Sequence, residues 1–163
     1  MVRTIQMAGY FSAHSIHCIC EGETLTPLIG YDTREEGGFF RIEGDEPVER
    51  GMQWLLRNPK QVLRAIFIYD AIATYQIHGS KLRADSLIIE AVKYAQAEKS
   101  FQITVPYRHA EKPKGFAVHK PKVTRVDGLD KEELEMLIDH FWIGVDEHKE
   151  GSAIWRQCLD QSF

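Results

Sequence analysis

The segment His14–Cys20, with the sequence HSIHCIC, carries side chains that zinc prefers as ligands. If the segment is a β-strand, alternation places the candidate metal ligands His14, Cys18 and Cys20 on one face. Cys18 and Cys20 would then lie about 6.6 Å apart, and their spacing differs from the two-residue gap between zinc-knuckle cysteines. The sequence therefore favours buried thiols that pack as small apolar groups, and it predicts no cofactor.

Acidic residues and histidines in the middle of the chain form a second candidate site, a catalytic one. Asp70, Asp85 and Glu90 lie within or beside apolar, β-type segments. Carboxylates on adjacent strands can hold a divalent metal, and a histidine such as His109 or His119 would complete the site. A nearby lysine lacks the spacing that is typical of nuclease sites. A metal-dependent hydrolase or nuclease is therefore an alternative to the leading hypothesis given below.

Asp70 also interrupts the apolar stretch AIFIYDAIA, residues 65–73. Burial of a carboxylate without a partner is costly. We therefore expect Asp70 to pair with a neighbour such as Arg64, to face a solvent-filled pocket or to have a shifted pKa. A shifted pKa in a cleft is a signal of a functional site, although structural networks produce the same signal.

A basic segment, Tyr107–Arg125, follows these acids and has six cationic side chains against one acid. The cations are Arg108, Lys112, Lys114, Lys120, Lys122 and Arg125. Aromatic residues between them, such as Tyr107 and Phe116, could stack bases while the cations follow phosphates. Binding of a nucleic acid or an anionic ligand through this segment is a further alternative. The net charge of the whole chain, −4, opposes general attraction to nucleic acid, and a charged edge that discourages sheet-to-sheet pairing is the simpler interpretation.

Acidic segments flank the basic one. The net charge is −6 over residues 21–50, +5 over residues 108–125 and −7 over residues 127–150. Complementary charges of this kind steer association and select partners, and two-fold dimers are the commonest soluble oligomers. The chain has neither a glycine-rich phosphate loop nor a nucleophile elbow. The leading hypothesis is therefore a small binding protein without catalytic activity, whose partner is another protein or a second copy of itself in a homodimer.

Length and composition indicate the class of protein and its compartment. The 163 residues suffice for one domain, so residues 1–163 are predicted to form a single α+β domain. A hydrophobic fraction of 44% and a charged fraction of 27% exclude disorder, collagen and coiled coil. We find no signal-peptide pattern, no apolar stretch of the ~20 residues that span a membrane and too few cysteines for a disulfide framework. These features predict a cytoplasmic protein that does not enter a membrane.

The middle of the chain has the pattern of antiparallel strands. The predicted strands of this meander are 62–74, 85–95, 101–107 and 115–124. Their short links favour hairpins, because a parallel crossover needs a dozen or more residues. Residues 15–20 and 38–44 are predicted as further strands.

Three helices are predicted around these strands. The first is capped by Asp45 and ends before the Asn58–Pro59 pair. The second begins at a capping-box pattern formed by Asp130 and Glu133, and Ser152 caps the last. The expected fold class is α+β, with a single antiparallel sheet of five or six strands that includes the meander in residues 62–124. One helix precedes the central strand and two C-terminal helices pack on the sheet.

Overall fold

The computed structural model describes residues 1–77, 79–94 and 98–161. In these ranges the chain forms four helices: α1 (Val2–Cys20), α2 (Pro47–Arg57), α3 (Lys131–Glu147) and α4 (Lys149–Gln157). The strands in the same ranges are β1 (Leu28–Asp32), β2 (Gly37–Arg41), β3 (Arg64–Ile77), β4 (Ser80–Lys93), β5 (Lys99–Arg108), β6 (Ala117–Val118) and β7 (Lys122–Asp127). None of the described helices has both the length and the apolar character needed to cross a membrane.

The strands form one antiparallel sheet in the order β2-β1-β3-β4-β5, and both β6 and β7 pair with β5. The long hairpin of β3 and β4 is paired from Arg64 opposite Lys93 to Ile77 opposite Ser80. β5 lies antiparallel to β4 on its other side. The predicted meander and the α+β class with a single antiparallel sheet are confirmed.

The segment 115–124 is not one strand, as predicted, but parts of two. Pro121 separates β6 from β7, because proline cannot donate a backbone hydrogen bond to a neighbouring strand. β6 pairs with the end of β5, where Val118 lies opposite Tyr107. β7 pairs with the start of β5 and passes a bulge between Gln102 and Ile103. The two short strands therefore share the outer edge of β5.

The predicted strand over residues 15–20 is wrong, because this segment is the last part of α1. The buried residues of α1 recur at helical spacing and include Ile5, Ala8, Ile16 and Ile19. This face packs on β3 and β4 and belongs to the larger hydrophobic core. Six residues make less than two turns, which is too short a window to reveal a period of about 3.6 residues.

Glycines allow α1 to approach α3 and α4 very closely. A Cβ atom added at Gly144 of α3 would lie 1.9 Å from the carbonyl oxygen of Gln6, and one at Gly9 would lie 2.0 Å from a carbonyl oxygen of α3. A Cβ added at Gly151 of α4 would lie 2.2 Å from the carbonyl oxygen of Ala13. Any other residue would push the helices apart at these points. The start of α4 is thereby held against the middle of α1.

The opposite face of the sheet is partly covered by α2. Gly51 allows this approach, since a Cβ atom there would lie 2.2 Å from the ring of Phe67 on β3. Glu46, rather than Asp45, occupies the N-cap position of α2, so the predicted cap is one residue too early. The predicted end is confirmed, because Asn58 follows the helix in a left-handed conformation with φ of 42°.

The caps of the two C-terminal helices agree only in part with the prediction. Asp130 Oδ1 accepts a hydrogen bond from Glu133 N at 2.9 Å, and Glu133 Oε2 accepts one from Asp130 N at 3.1 Å, so the capping box of α3 is confirmed. The predicted cap by Ser152 is wrong. α4 begins earlier, and the Nδ1 atom of His148 accepts a hydrogen bond from the N–H of Gly151 at 3.0 Å. Histidine is not a usual capping residue, which is why the pattern favoured the serine.

Candidate functional site

A groove of about 430 Å³ lies between α1 and the β1–β2 hairpin. Three aromatic side chains line it: Tyr10, Phe11 and Phe39. The ring centre of Phe11 lies 5.3 Å from that of Tyr10 and 5.8 Å from that of Phe39. Phe39 is 56% exposed, so the groove presents aromatic surface to solvent. Its volume lies within the range of pockets that hold small molecules.

Glycines of β1 and β2 keep one wall of the groove free of side chains. Gly30 lies opposite Phe39, and a Cβ atom at Gly30 would come within 2.6 Å of the Phe11 ring. Gly37 lies opposite Asp32 and has more room, because a Cβ atom there would have its nearest neighbour at 3.6 Å. A side chain at position 37 would therefore fill part of the groove without displacing the backbone.

Charged side chains from three elements border the groove. They are Arg3 of α1, Asp32 of β1 and Glu147 at the end of α3. Asp32 Oδ2 accepts a hydrogen bond from Arg64 Nη1 at 2.7 Å. Arg3 and Glu147 form no ion pair with any residue that the structure describes. Arg3 is therefore a cation that a bound anion could reach.

Three histidines gather beside the groove, at the junction of α1 and α4. The ring centre of His148 lies 5.4 Å from that of His14, 6.0 Å from that of His17 and 5.2 Å from that of Tyr10. Burial, and after it the neighbouring His148, lowers the pKa of His14 below its ordinary value. His14 is therefore a neutral imidazole near pH 7. Sequence reasoning missed His17 and His148, because the two lie at opposite ends of the chain and meet only through helix packing.

The predicted ligand set His14, Cys18 and Cys20 does not share one face, because the segment is helical. His14 and Cys18 are one turn apart, and Cys18 Sγ lies 3.9 Å from His14 Nε2. Cys20 lies two residues further along and therefore on the other side of the helix. Burial, followed by the nearby Cys158, raises the pKa of the Cys20 thiol. Cys18 is buried, as the interpretation of a small apolar side chain requires.

Two of the predicted acids and one histidine lie near one another at the sheet. Asp85 Oδ2 lies 4.0 Å from His109 Nε2, and the Tyr107 hydroxyl lies 3.5 Å from the same nitrogen. The Tyr107 hydroxyl also lies close to the Asp70 carboxylate. Asp70 is exposed, and Arg64, the partner expected for it, pairs with β1 instead.

The remaining catalytic candidates, Glu90 and His119, have other neighbours. Glu90 lies on the opposite sheet face from Asp70 by strand alternation. Its side chain is 4% exposed, and its carboxylate accepts hydrogen bonds from Arg125 Nη2 at 2.5 Å and from Gln102 Nε2 at 2.6 Å. His119 is buried, and its Nδ1 lies 3.0 Å from the carbonyl oxygen of Asp160. The predicted carboxylates are thus divided between the two faces of the sheet.

We expect the raised pKa of Asp70 to make the free energy of unfolding depend on pH. The side chain is exposed, but the surrounding protein partly desolvates its carboxylate. This desolvation is the main reason that the pKa of Asp70 is raised, and Asp85 adds to the effect. The folded protein then binds the proton more tightly than the unfolded chain. The contribution of this group to the free energy of unfolding therefore becomes more favourable as the pH falls through the raised pKa, until the unfolded carboxyl is also protonated at pH ~4. Asp70→Asn removes the titrating group and keeps a side chain of nearly the same size and shape. Urea unfolding between pH 7 and pH 4 should therefore favour the wild type over Asp70→Asn progressively as the pH falls. A constant difference between them would contradict the expectation.

The cations of the basic segment face different partners. Arg108 donates to the carbonyl oxygen of Gly115 at 2.9 Å and lies 3.4 Å from Asp160. Arg125 is paired with Glu90, as described above, and Lys122 Nζ lies 4.9 Å from the centre of the Tyr75 ring. The remaining lysines are exposed: Lys112, Lys114 and Lys120. At least two of the six predicted binding residues, Arg108 and Arg125, thus pair with acids of the same chain. A role for the segment in nucleic-acid or anion binding stays a prediction.

Comparison of the chain with protein-family models, with curated proteins and with solved structures finds no match.

Proposed function

We propose that this chain is a binding protein that holds a small molecule in the groove between α1 and the β1–β2 hairpin. The ligand combines a planar aromatic part with an anionic group. The observation that carries the proposal is the exposed aromatic lining of a groove of about 430 Å³ beside an arginine without an ion-pair partner among the described residues. Pockets for small molecules are typically concave and apolar, with a few polar groups that orient the ligand.

The aromatic part of the ligand is inferred from the rings. Phe39 is largely exposed on its own, and aromatic side chains prefer offset or edge-to-face neighbours at centre distances of about 4.5–7 Å. A planar ligand between Phe39 and Tyr10 would make such contacts on both sides. Burial of apolar surface contributes about 25 cal/mol per Å², so these contacts would supply most of the affinity.

The anionic part is inferred from the charges. Arg3 can donate two parallel hydrogen bonds to a carboxylate, sulfonate or phosphate group. Asp32 is already neutralised by Arg64 and repels an anion less than a lone carboxylate would. Glu147 also borders the groove and repels an anion. The anionic group of the ligand would therefore lie next to Arg3 and away from Glu147.

Fluorescence of 8-anilinonaphthalene-1-sulfonate tests the proposal, because this probe has aromatic rings and a sulfonate. We expect saturable binding to the folded protein. Gly37→Val, which fills the groove, and Arg3→Gln, which removes the cation, should each weaken binding by at least about tenfold, equivalent to about 1.4 kcal/mol.

Leu56→Ala is the matched control, since Leu56 is an 82% exposed apolar residue of α2 on the opposite face. This variant should bind the probe as the wild type does, and circular dichroism should show all variants folded. Equal affinity of the wild type and Gly37→Val would contradict the proposal.

The compartment and the partner predicted from the sequence are also proposals. We propose a cytoplasmic location, which the free thiols Cys18, Cys20 and Cys158 support because a reducing compartment keeps cysteines unpaired. The protein partner or homodimer predicted from the charge distribution remains compatible with a ligand in the groove.

A further inference from the structure

Three side chains of the kind that ligate metals meet where the last part of α1 touches the start of α4. One ligand atom from each of His17, His148 and Glu150 lies within 4.8 Å of the other two. Both histidines are half-buried and Glu150 is exposed. The group lies beside the groove but does not overlap its lining, which includes His14 and Glu147.

We propose that His17, His148 and Glu150 bind a zinc ion. Two imidazole nitrogens and one carboxylate oxygen are a ligand set of zinc sites that keep a fourth, open position. With bonds of about 2.0–2.2 Å, a tetrahedral zinc ion holds its ligand atoms about 3.3 Å apart, so the ligand atoms must approach one another by up to about 1.5 Å. The exposed Glu150 can make this movement by rotation of its side chain. The inference goes beyond ligand binding in the groove and does not depend on it.

His148 is already fixed in place. The close contact of Gly151 with the backbone of Ala13 sets the distance between the two helices. The rings of Tyr10 and His14 pack against the His148 ring at centre distances of 5.2 and 5.4 Å. A ligand that is fixed before the metal arrives loses little freedom on binding, which favours affinity.

His17 has a carboxylate beside it. Glu21 Oε1 lies 3.2 Å from His17 Nε2, one helical turn away. Carboxylates next to metal-binding histidines orient the ring and raise its basicity. If zinc binds Nδ1 of His17, Glu21 can accept the hydrogen bond of the Nε2 proton in this way.

The cap of α4 and the metal each need a nitrogen of His148 that carries no proton, and a neutral imidazole has only one. While Nδ1 accepts the hydrogen bond from Gly151, the neutral ring carries its proton on Nε2. When zinc binds Nε2, it displaces this proton to Nδ1, and Nδ1 can no longer accept from Gly151. Zinc binding therefore ends the side-chain cap at the start of α4.

Isothermal titration of the full-length protein with zinc chloride tests the proposal. We expect one zinc ion per chain and a dissociation constant in the micromolar range. His17→Gln and Glu150→Gln should each weaken binding by at least about tenfold. His148→Asn should do the same, although asparagine keeps the capacity to cap α4, and circular dichroism should show its helices intact.

Two control variants exclude other ligands. His109→Gln changes a histidine just beyond the end of β5, and Cys20→Ser removes the half-buried thiol at the end of α1. Both should bind zinc within about twofold of the wild type, since neither residue belongs to the proposed set. Absence of binding at 1 mM zinc would overturn the proposal, and so would binding that His17→Gln and Glu150→Gln leave unchanged.

Discussion

Gly144→Ala is expected to destabilise the protein by about 3 kcal/mol, which lowers the melting temperature by about 6–12 °C for a chain of this length. Alanine alone would favour the helix by about 1 kcal/mol. The added methyl group, however, would lie 1.9 Å from the backbone oxygen of Gln6, an atom that cannot rotate away. α1 and α3 must therefore separate along their contact. Differential scanning calorimetry measures the change directly.

The matched control is Gly37→Ala, because that glycine has no close neighbour and no positive φ. Its melting temperature should stay close to that of the wild type. Gly9→Ala should resemble Gly144→Ala, and the double variant should lose less than the sum of the two, since one separation of α1 from α3 relieves both clashes. A Gly144→Ala protein that melts at or above the wild-type temperature would show that the helices do not cross as described.

Arg125→Ala is expected to cost about 2–3 kcal/mol in free energy of unfolding, a large effect for a residue that is half exposed. The loss of stability arises at Glu90, the ion-pair partner of Arg125. Glu90 is 4% exposed, so without the guanidinium a buried carboxylate keeps only the neutral Gln102 as a side-chain donor among the described residues. Arg125→Lys should retain part of the stability, because it keeps the charge but loses the planar donor geometry.

A double-mutant cycle identifies the pair as the cause. In a Glu90→Gln background the carboxylate is gone, so Arg125→Ala should cost well under 1 kcal/mol, as surface substitutions usually do. Chemical denaturation of the four proteins at one pH gives the coupling energy. A coupling near zero would mean that the contact between Glu90 and Arg125 does not contribute to stability.

The central strands of the sheet could be predicted from the sequence because the residue pattern of each one lies within a single short segment. The apolar, β-branched residues 62–74 and the alternation in residues 101–107 each show their period within one segment. The capping box at Asp130 is equally local. α1 could not be recognised from residues 15–20, since its buried face extends over the whole of Val2–Cys20 and contains serines and a threonine that weaken the apolar pattern.

The candidate sites depend on contacts between distant parts of the chain. The groove takes side chains from α1, the β1–β2 hairpin and the end of α3, and nothing in the sequence links these segments. The sequence predicts Asp70, Asp85, Glu90 and a histidine such as His109 as one group. Asp70 and Asp85 do lie on the neighbouring strands β3 and β4, with His109 just beyond the end of β5, whereas Glu90 lies on the other face. The partner of Glu90 is Arg125, which the charge pattern had placed in a binding surface.

Occupancy of the groove is tested most directly by nuclear magnetic resonance. Amide ¹H–¹⁵N spectra of the labelled protein, titrated with 8-anilinonaphthalene-1-sulfonate, report which residues the probe contacts. We expect the largest shifts at Tyr10, Phe11, Gly37 and Phe39, with smaller changes on the opposite face of the sheet. Shifts centred on residues 107–125, or spread evenly over the protein, would contradict ligand binding between α1 and the β1–β2 hairpin.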